Sequence, residues 1–315
     1  MPFVDLPNRQ LHQYYTINPI YESITHGLDE PPPESGVLDD RLTICFVHAG
    51  TSSSEAFISQ FQDPRLRSTF NLVSFDSRYY GRTTAPKKLD YYQDLDERAE
   101  ELLDAIDAVL GDRPFVVFGE SFVGAHCCVH VAARRPKQIK AIVMISPSFF
   151  EDPPEMIEIL DNQWAPWAVS NKGGNGDGSG DLPQGALEIA GDYFFGTCTR
   201  EPERKQAFLD RYQYNNGSRC DGHKLYQLLH WFKRKAPPKE VFEKIVCPTL
   251  IFLATEDKAV SPDDAAQQWY DALVNVDTSK KRIERIHGGT HLMATTDSNV
   301  VNRVTLKFLQ RNLNL

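Results

Sequence analysis

The chain has no apolar run approaching the roughly 20 residues that span a bilayer, so nothing in it reads as a transmembrane helix. It also lacks basic excess: 34 Lys and Arg stand against 43 Asp and Glu, a net charge of −9. An acidic chain without a basic cluster has no electrostatic footprint for nucleic acid or an anionic membrane, so neither is expected as a partner. The opening MPFVDLPNRQ holds neither the basic segment nor the apolar core of a secretory signal, which leads us to expect a cytoplasmic protein. Cysteines occur at 45, 127, 128, 198, 220 and 247, without the spacing of a metal site or a disulfide framework. They read as reduced structural thiols. His126 and His130 are four apart, a spacing that metal ligands use, but no HExxH pattern or partner acid accompanies them. A structural helix face is the simpler reading, and no metal or cofactor is expected. There is no internal repeat, and nothing sets an oligomeric state.

What is present is enough for a large core. The chain has 315 residues, 41% of them hydrophobic. That suits one large α/β domain with an insertion. Short apolar runs at 43–47, 71–75, 115–118, 141–145, 249–254 and 282–286 read as buried strands, and weak alternation at 10–18 suggests an earlier one. Residues 94–110 and 298–312 carry apolar side chains at helical spacing. Continuous apolar strands separated by helices predict a mainly parallel, doubly wound sheet covered on both faces. One stretch breaks the rhythm. Between 149 and 246 no comparable strand occurs; short helices are expected around 155–161, 183–193, 203–212 and 222–233. The Gly-rich segment 171–183 reads as a flexible loop. We expect residues 1–148 and 247–315 to form the core and 149–246 a helical cap inserted between two late strands.

In an open parallel sheet, ligands gather at the carboxyl ends of the strands. The polar residues that follow each strand are therefore informative. His48, Ala49, Gly50 and Thr51 follow the first apolar run; residues 76–81, DSRYYG, follow the second. After 115–118 comes GESFVG, which places Ser121 on a sharp strand-to-helix turn with its hydroxyl held clear of the sheet. Thr255, Glu256 and Asp257 follow 249–254, and His287 to His291 follow 282–286. A hydroxyl, a carboxylate and a histidine thus all stand on strand-following loops. Serine is a poor nucleophile unless a base takes its proton, and a carboxylate orients and charges-stabilises that base.

At this point the chain resembles the α/β-hydrolase superfamily, in a serine-nucleophile branch with a helical cap. The resemblance runs from about 42 to 312 and rests on several motifs in order. These are the His-Ala-Gly stretch at 48–50, the DSRYYG stretch, the GESFVG turn, the AxxDxxV stretch from Ala254 to Val260, and the late His291. It implies the α/β-hydrolase fold and a triad of Ser121, Asp257 and His291 in that chain order. It implies an oxyanion hole from the backbone N–H groups of Phe122 and Gly50, with Thr51 the weaker candidate. His291 is favoured over His287 because it precedes Leu292, and Asp257 over Glu256 because of its spacing to Val260. His48 is expected to shape the oxyanion loop. Three positions depart from the family pattern: Val123, Ala49 and Tyr79 stand where small residues are usual. Val123 is expected to crowd the helix behind the turn. Glu120 and Arg78 read either as rim residues or as members of structural ion pairs.

The expected cap is rich in aromatics, of which Trp164, Trp167, Tyr193 and Trp231 are the candidates to face substrate. An apolar pocket with few polar groups suits a small apolar or aromatic molecule. The chemistry implied is hydrolysis of a carboxylic ester or lactone through an acyl-enzyme. Carbon–carbon bond hydrolysis, aminopeptidase activity and non-catalytic small-molecule binding all use the same fold and stay open here.

Overall fold

The computed structural model describes residues 3–17, 37, 40–85, 89–152, 154–159, 161–162, 184–195, 202–213, 227–228, 230–231, 233, 236–257 and 262–315. Its frame is an eight-stranded sheet of β1 (Phe3–Leu6), β2 (Leu11–Ile17), β3 (Thr43–Val47), β4 (Asn71–Phe75), β5 (Phe115–Glu120), β6 (Ile139–Ile145), β7 (Thr249–Ala254) and β8 (Lys281–Ile286). The order across the sheet is β1-β2-β4-β3-β5-β6-β7-β8. β1 and β2 form an antiparallel hairpin, β2 joins β4 antiparallel, and every later pairing is parallel. The sequence patterning finds seven of these strands. It misses β1, whose four residues are mostly half-exposed and carry no apolar run.

Strands β3 to β7 are buried on both faces, with successive side chains pointing to opposite sides, while the edge strand β8 is mostly exposed or half-exposed. Cys45, Val47, Val73, Phe75, Phe115 and Val117 face one apolar layer with Leu102, Ile106, Val123 and Trp269. Ile44, Phe46, Leu72, Val116 and Phe118 face the other, with Phe57, Phe61, Met293 and Phe308. Helix α1 (Leu95–Leu110) begins in a capping box, in which Asp94 accepts from the Glu97 N–H while Glu97 accepts from the Asp94 N–H. Helix α2 (Ser121–Arg134) follows β5 without a connecting residue.

Between β6 and β7 the chain builds α3 (Gln184–Phe195) and α4 (Pro202–Gln213), which share a small apolar cluster with Leu292. Helix α5 (Pro262–Ala272) follows β7, and α6 (Ser298–Leu313) closes the fold. Among the described residues no helix is long and apolar enough to cross a membrane.

The strand order reverses between β3 and β5: the chain moves from β3 to β4 on one side, then to β5 on the other. A crevice at the carboxyl ends is expected at such a switch point. The segments that leave β3 and β5 there carry Gly50 and Ser121.

Candidate active site

Ser121 opens α2 with φ 61°, a left-handed conformation that side-chain-bearing residues rarely adopt. The turn is possible because two glycines flank it. A Cβ at Gly119 would lie 2.3 Å from the Gly124 carbonyl oxygen and 2.6 Å from the Cys128 Sγ. A Cβ at Gly124 would lie 2.7 Å from the Val47 carbonyl oxygen and 2.8 Å from the Gly119 carbonyl carbon. Strand β5, helix α2 and strand β3 therefore touch through bare backbone.

This corrects the expectation for Val123. The close crossing runs through Gly124, and Val123 points instead toward Gly50, where a Cβ would lie 2.8 Å from its Cγ2. The bulk of one residue is accommodated by the bareness of the other.

The Ser121 Oγ lies 3.0 Å from the His291 Nε2, and the His291 Nδ1 lies 2.9 Å from the Asp257 Oδ2. The tautomer that satisfies both contacts has Nδ1–H donating to Asp257 and Nε2 accepting from the Ser121 hydroxyl. All three residues are buried. Burial alone would lower the His291 pKa; the charge and hydrogen bond of Asp257, with Glu120 adding to them, outweigh it and leave it raised. The Asp257 turn is pinned to the histidine loop, since the Glu256 N–H donates to the Gly289 carbonyl at 2.9 Å and the Gly288 N–H to the Thr255 Oγ1 at 2.9 Å. Glu256 and His287, the neighbours weighed against Asp257 and His291, are exposed.

His48 organises the loop after β3. Its Nδ1 donates to the Ala49 carbonyl at 2.7 Å, and its Nε2 accepts from the Ser77 N–H at 3.0 Å. Because a trans peptide sets C=O and N–H in opposite directions, a held Ala49 carbonyl also fixes the direction of the Gly50 N–H. Gly50 is packed against Val123, with the Phe122 ring close behind. Phe122 sits in the first turn of α2, where N–H groups point out of the helix rather than back into it.

Among the described residues between β6 and β7, Phe194 and Leu228 reach this site. The Phe194 ring on α3 lies 5.5 Å from the His291 ring. Leu228 closes over the loop after β3: a Cβ at Gly50 would lie 2.8 Å from its Cδ1. The segment carrying Leu228 is tied to the core. Gln227 and Gln93 exchange hydrogen bonds, at 2.8 and 2.7 Å, and the Trp231 Nε1 donates to the Gln93 carbonyl at 2.8 Å.

Of the four aromatic candidates, Trp231 is thus a buried anchor below Arg98, whose guanidinium lies 5.9 Å from its ring centroid. Tyr193 lies on α3 next to Phe194, and Trp164 and Trp167 fall outside the described residues. Phe194 and Leu228 are the contacts that sequence reading did not select. Phe194 belongs to the aromatic set of the expected cap without being one of the four candidates chosen from it, and Leu228 carries no such signal.

Among the described residues no cluster of His, Cys, Asp or Glu could hold a metal ion. His126 packs edge-on against Trp269 at 5.0 Å, and the His130 Nδ1 lies 2.6 Å from Asp96. Arg78 is a structural residue, paired through buried contacts with Glu101 at 2.7 Å. Glu120 forms no such pair.

A family profile described as alpha/beta hydrolase fold matches residues 43–294, and the chain belongs to that family. No curated protein shows significant similarity to it. Solved structures resemble it along nearly its whole length. The enol-lactonase from Burkholderia xenovorans LB400 is 16% identical with a TM-score of 0.70, covering 98% of this chain and 99% of its own. Est816, described as an N-acyl homoserine lactone degrading enzyme, is 15% identical at 0.66, covering 98% and 100%. A thermophilic esterase from Thermogutta terrifontis is 14% identical at 0.69, covering 96% and 94%. At these identities the likeness is one of fold. The protein is a hydrolase of the α/β-hydrolase fold.

Proposed function

We propose that the protein cleaves a carboxylic ester or lactone of a small apolar or aromatic molecule, with Ser121 as nucleophile, His291 as base and Asp257 as its orienting carboxylate. The observation that carries this reading is the hydrogen-bonded line Asp257–His291–Ser121, at 2.9 and 3.0 Å, ending on a serine with φ 61°. Its order along the chain is the one this fold uses.

In this reading the Ser121 Oγ attacks the carbonyl carbon as its proton passes to the His291 Nε2. The carbonyl oxygen becomes an oxyanion held by the N–H groups of Phe122 and Gly50. His291 then gives its proton to the leaving oxygen, and an acyl-enzyme remains. A water loses a proton to His291, attacks the acyl carbon, and Ser121 is released. Each oxyanion donor is worth about 10²–10³ in rate. In a lactone the leaving oxygen stays tethered to the acyl group until water attacks.

Residues 149–246 act as a cap, with Phe194 above the base and Leu228 above the oxyanion loop as the apolar walls. Trp164, Trp167 and Tyr193 are further proposed contacts. The esterase and lactonase neighbours favour this substrate class. A cytoplasmic location fits the free thiols at Cys45, Cys127, Cys128 and Cys247.

A fluorophosphonate probe tests the assignment. Wild type is expected to label and Ser121→Ala not to; labelling that persists in the variant places the nucleophile elsewhere. A panel of esters and lactones of graded acyl length then reads the substrate class. Asp257→Asn should lower kcat far more than Glu256→Gln, and the reverse result would exchange their roles.

A further inference from the structure

Glu120 is the residue that the mechanism above leaves unused. It ends β5, directly before Ser121, and is fully buried. Strand alternation puts it on the same face as Phe118, toward the layer that holds Phe46, Phe57, Met293 and Ala294. That layer is the support beneath the loop that carries His291. Among the described residues neither carboxyl oxygen of Glu120 has a hydrogen-bond partner. A buried carboxyl without a partner is costly, and an apolar side chain of similar volume would ordinarily be preferred there.

The electrostatics of the position are simple. Burial pushes the Glu120 carboxyl up to about 7, and the charge that opposes this shift is that of His291. His291 in turn responds to two carboxyls, Asp257 and Glu120. Arg78, Arg98 and Glu101 form their own buried group around α1. His48, at the end of the neighbouring strand, is committed to Ala49 and Ser77.

We propose that Glu120 is a positioning residue for His291: a second carboxyl, outside the Asp257–His291–Ser121 line, that favours the imidazolium formed when Ser121 gives up its proton. This rests on the reading of Ser121 and His291 as nucleophile and base. Asp257 supplies orientation and charge through a hydrogen bond. Glu120, with its carboxyl raised to about 7, supplies charge from inside the sheet only where it is ionised, and no substrate atom needs to touch it. The sign follows directly. A carboxylate near an imidazole raises its pKa, so removing that carboxylate lowers it. The base then stays deprotonated, and competent, to lower pH.

Glu120→Gln keeps the shape and removes the charge. The His291 imidazole can be titrated by NMR in wild type and variant, which needs no turnover. Its midpoint should fall by about 0.5 pH unit or more, and the acid limb of kcat/KM against pH should move down with it. An unmoved or raised midpoint, with a superimposable pH profile, would overturn the proposal even if kcat fell, since packing alone can lower kcat. Should Glu120→Gln fail to fold, Glu120→Met offers an uncharged side chain of similar length for the same titration. The two readings separate cleanly. Wild type that neither labels with fluorophosphonate nor turns over esters sinks the nucleophile assignment, while the imidazole midpoint still decides the influence of Glu120.

Discussion

Three side-chain-bearing residues at the carboxyl edge of the sheet lie in the left-handed region, Ser146 after β6, with φ 46°, and the two compared below: Ser121 after β5, with φ 61°, and Tyr79 after β4, with φ 71°. The means that hold these two differ only in part, because the Tyr79 turn also needs a bare residue: a Cβ at Gly81, where φ is 54°, would lie 2.0 Å from the Asp76 Oδ2. The Ser121 turn depends on missing atoms. Gly119 and Gly124 approach so closely that a Cβ on either would strike backbone. The Tyr79 turn adds hydrogen bonds to its own bare residue, Gly81. The buried Asp76 carboxylate accepts from the Ser54 N–H at 2.7 Å and from the Arg82 N–H at 2.8 Å, bracketing the turn. Its backbone carbonyl also accepts from the Gln13 Nε2 and the Thr83 hydroxyl. Burial raises the Asp76 pKa despite these donors, so the carboxylate is held at some electrostatic cost.

The contrast has a functional logic. A turn held by close backbone contact uses no side-chain hydrogen bonds, so the hydroxyl of Ser121 is left to His291. A turn held by a carboxylate consumes that group entirely. Asp76 is saturated by the loops it joins, and it serves by tying the segment after β3, through Ser54, to the turn after β4. Strain is stored at both places, yet only one is arranged to present a reactive atom.

The largest test of the comparison falls on the glycines. Gly119→Ala should cost about 3 kcal/mol or more, because the atoms it would strike are backbone and cannot step aside. Chemical denaturation reads this directly, and a variant within about 1 kcal/mol of wild type would show that the turn has room to spare. Asp76→Ala comes next. It strands two N–H groups, each costing about 1–3 kcal/mol when buried and unpaired, so a loss of about 2–4 kcal/mol is expected. A smaller loss would mean that water replaces the carboxylate, and the turn would then be less dependent on hydrogen bonds than its geometry implies.

The same contrast explains what could be read in advance. Glycines at fixed spacing around a serine, between an apolar run and a helical pattern, are a sequence signal because the constraint is the absence of side chains. That Ser121, Asp257 and His291 meet could be anticipated because each stands on a segment that follows a strand, and the parallel sheet brings strand ends together. The role of Val123 was misjudged because spacing cannot tell which of two adjacent residues crosses the strand. Tyr79 was visible only as a departure from a glycine; the hydrogen bonds that make it tolerable come from Ser54 and Arg82, on different loops. Phe194 and Leu228 were hidden for a related reason. They reach the site from segments whose helical pattern says which face is apolar but not which residue meets His291 or Gly50. Glu120, which the sequence offers as a rim group or an ion-pair member, is fully buried and forms no ion pair among the described residues, since charge pairing is decided by tertiary packing.

The smallest effect is expected at Tyr79, and it isolates the strain itself. The Tyr79 hydroxyl accepts from the Leu89 N–H at 3.2 Å. Tyr79→Phe removes that bond and keeps the strain, so it should cost about 1 kcal/mol. Tyr79→Gly removes both the bond and the strain. Left-handed φ costs a residue with a Cβ roughly 1–2 kcal/mol, so the glycine variant should be close to wild type in stability and more stable than the phenylalanine one. The difference between the two variants, measured by thermal or urea unfolding, is the strain at this turn, less glycine's own backbone entropy. If Tyr79→Gly were the less stable of the two, the ring would be packing for stability, and the turn after β4 would be held by its side chain as well as by Asp76. The two turns would then differ in more than their hydrogen bonds: both exclude a side chain at a glycine, but only the turn after β4 would also require one.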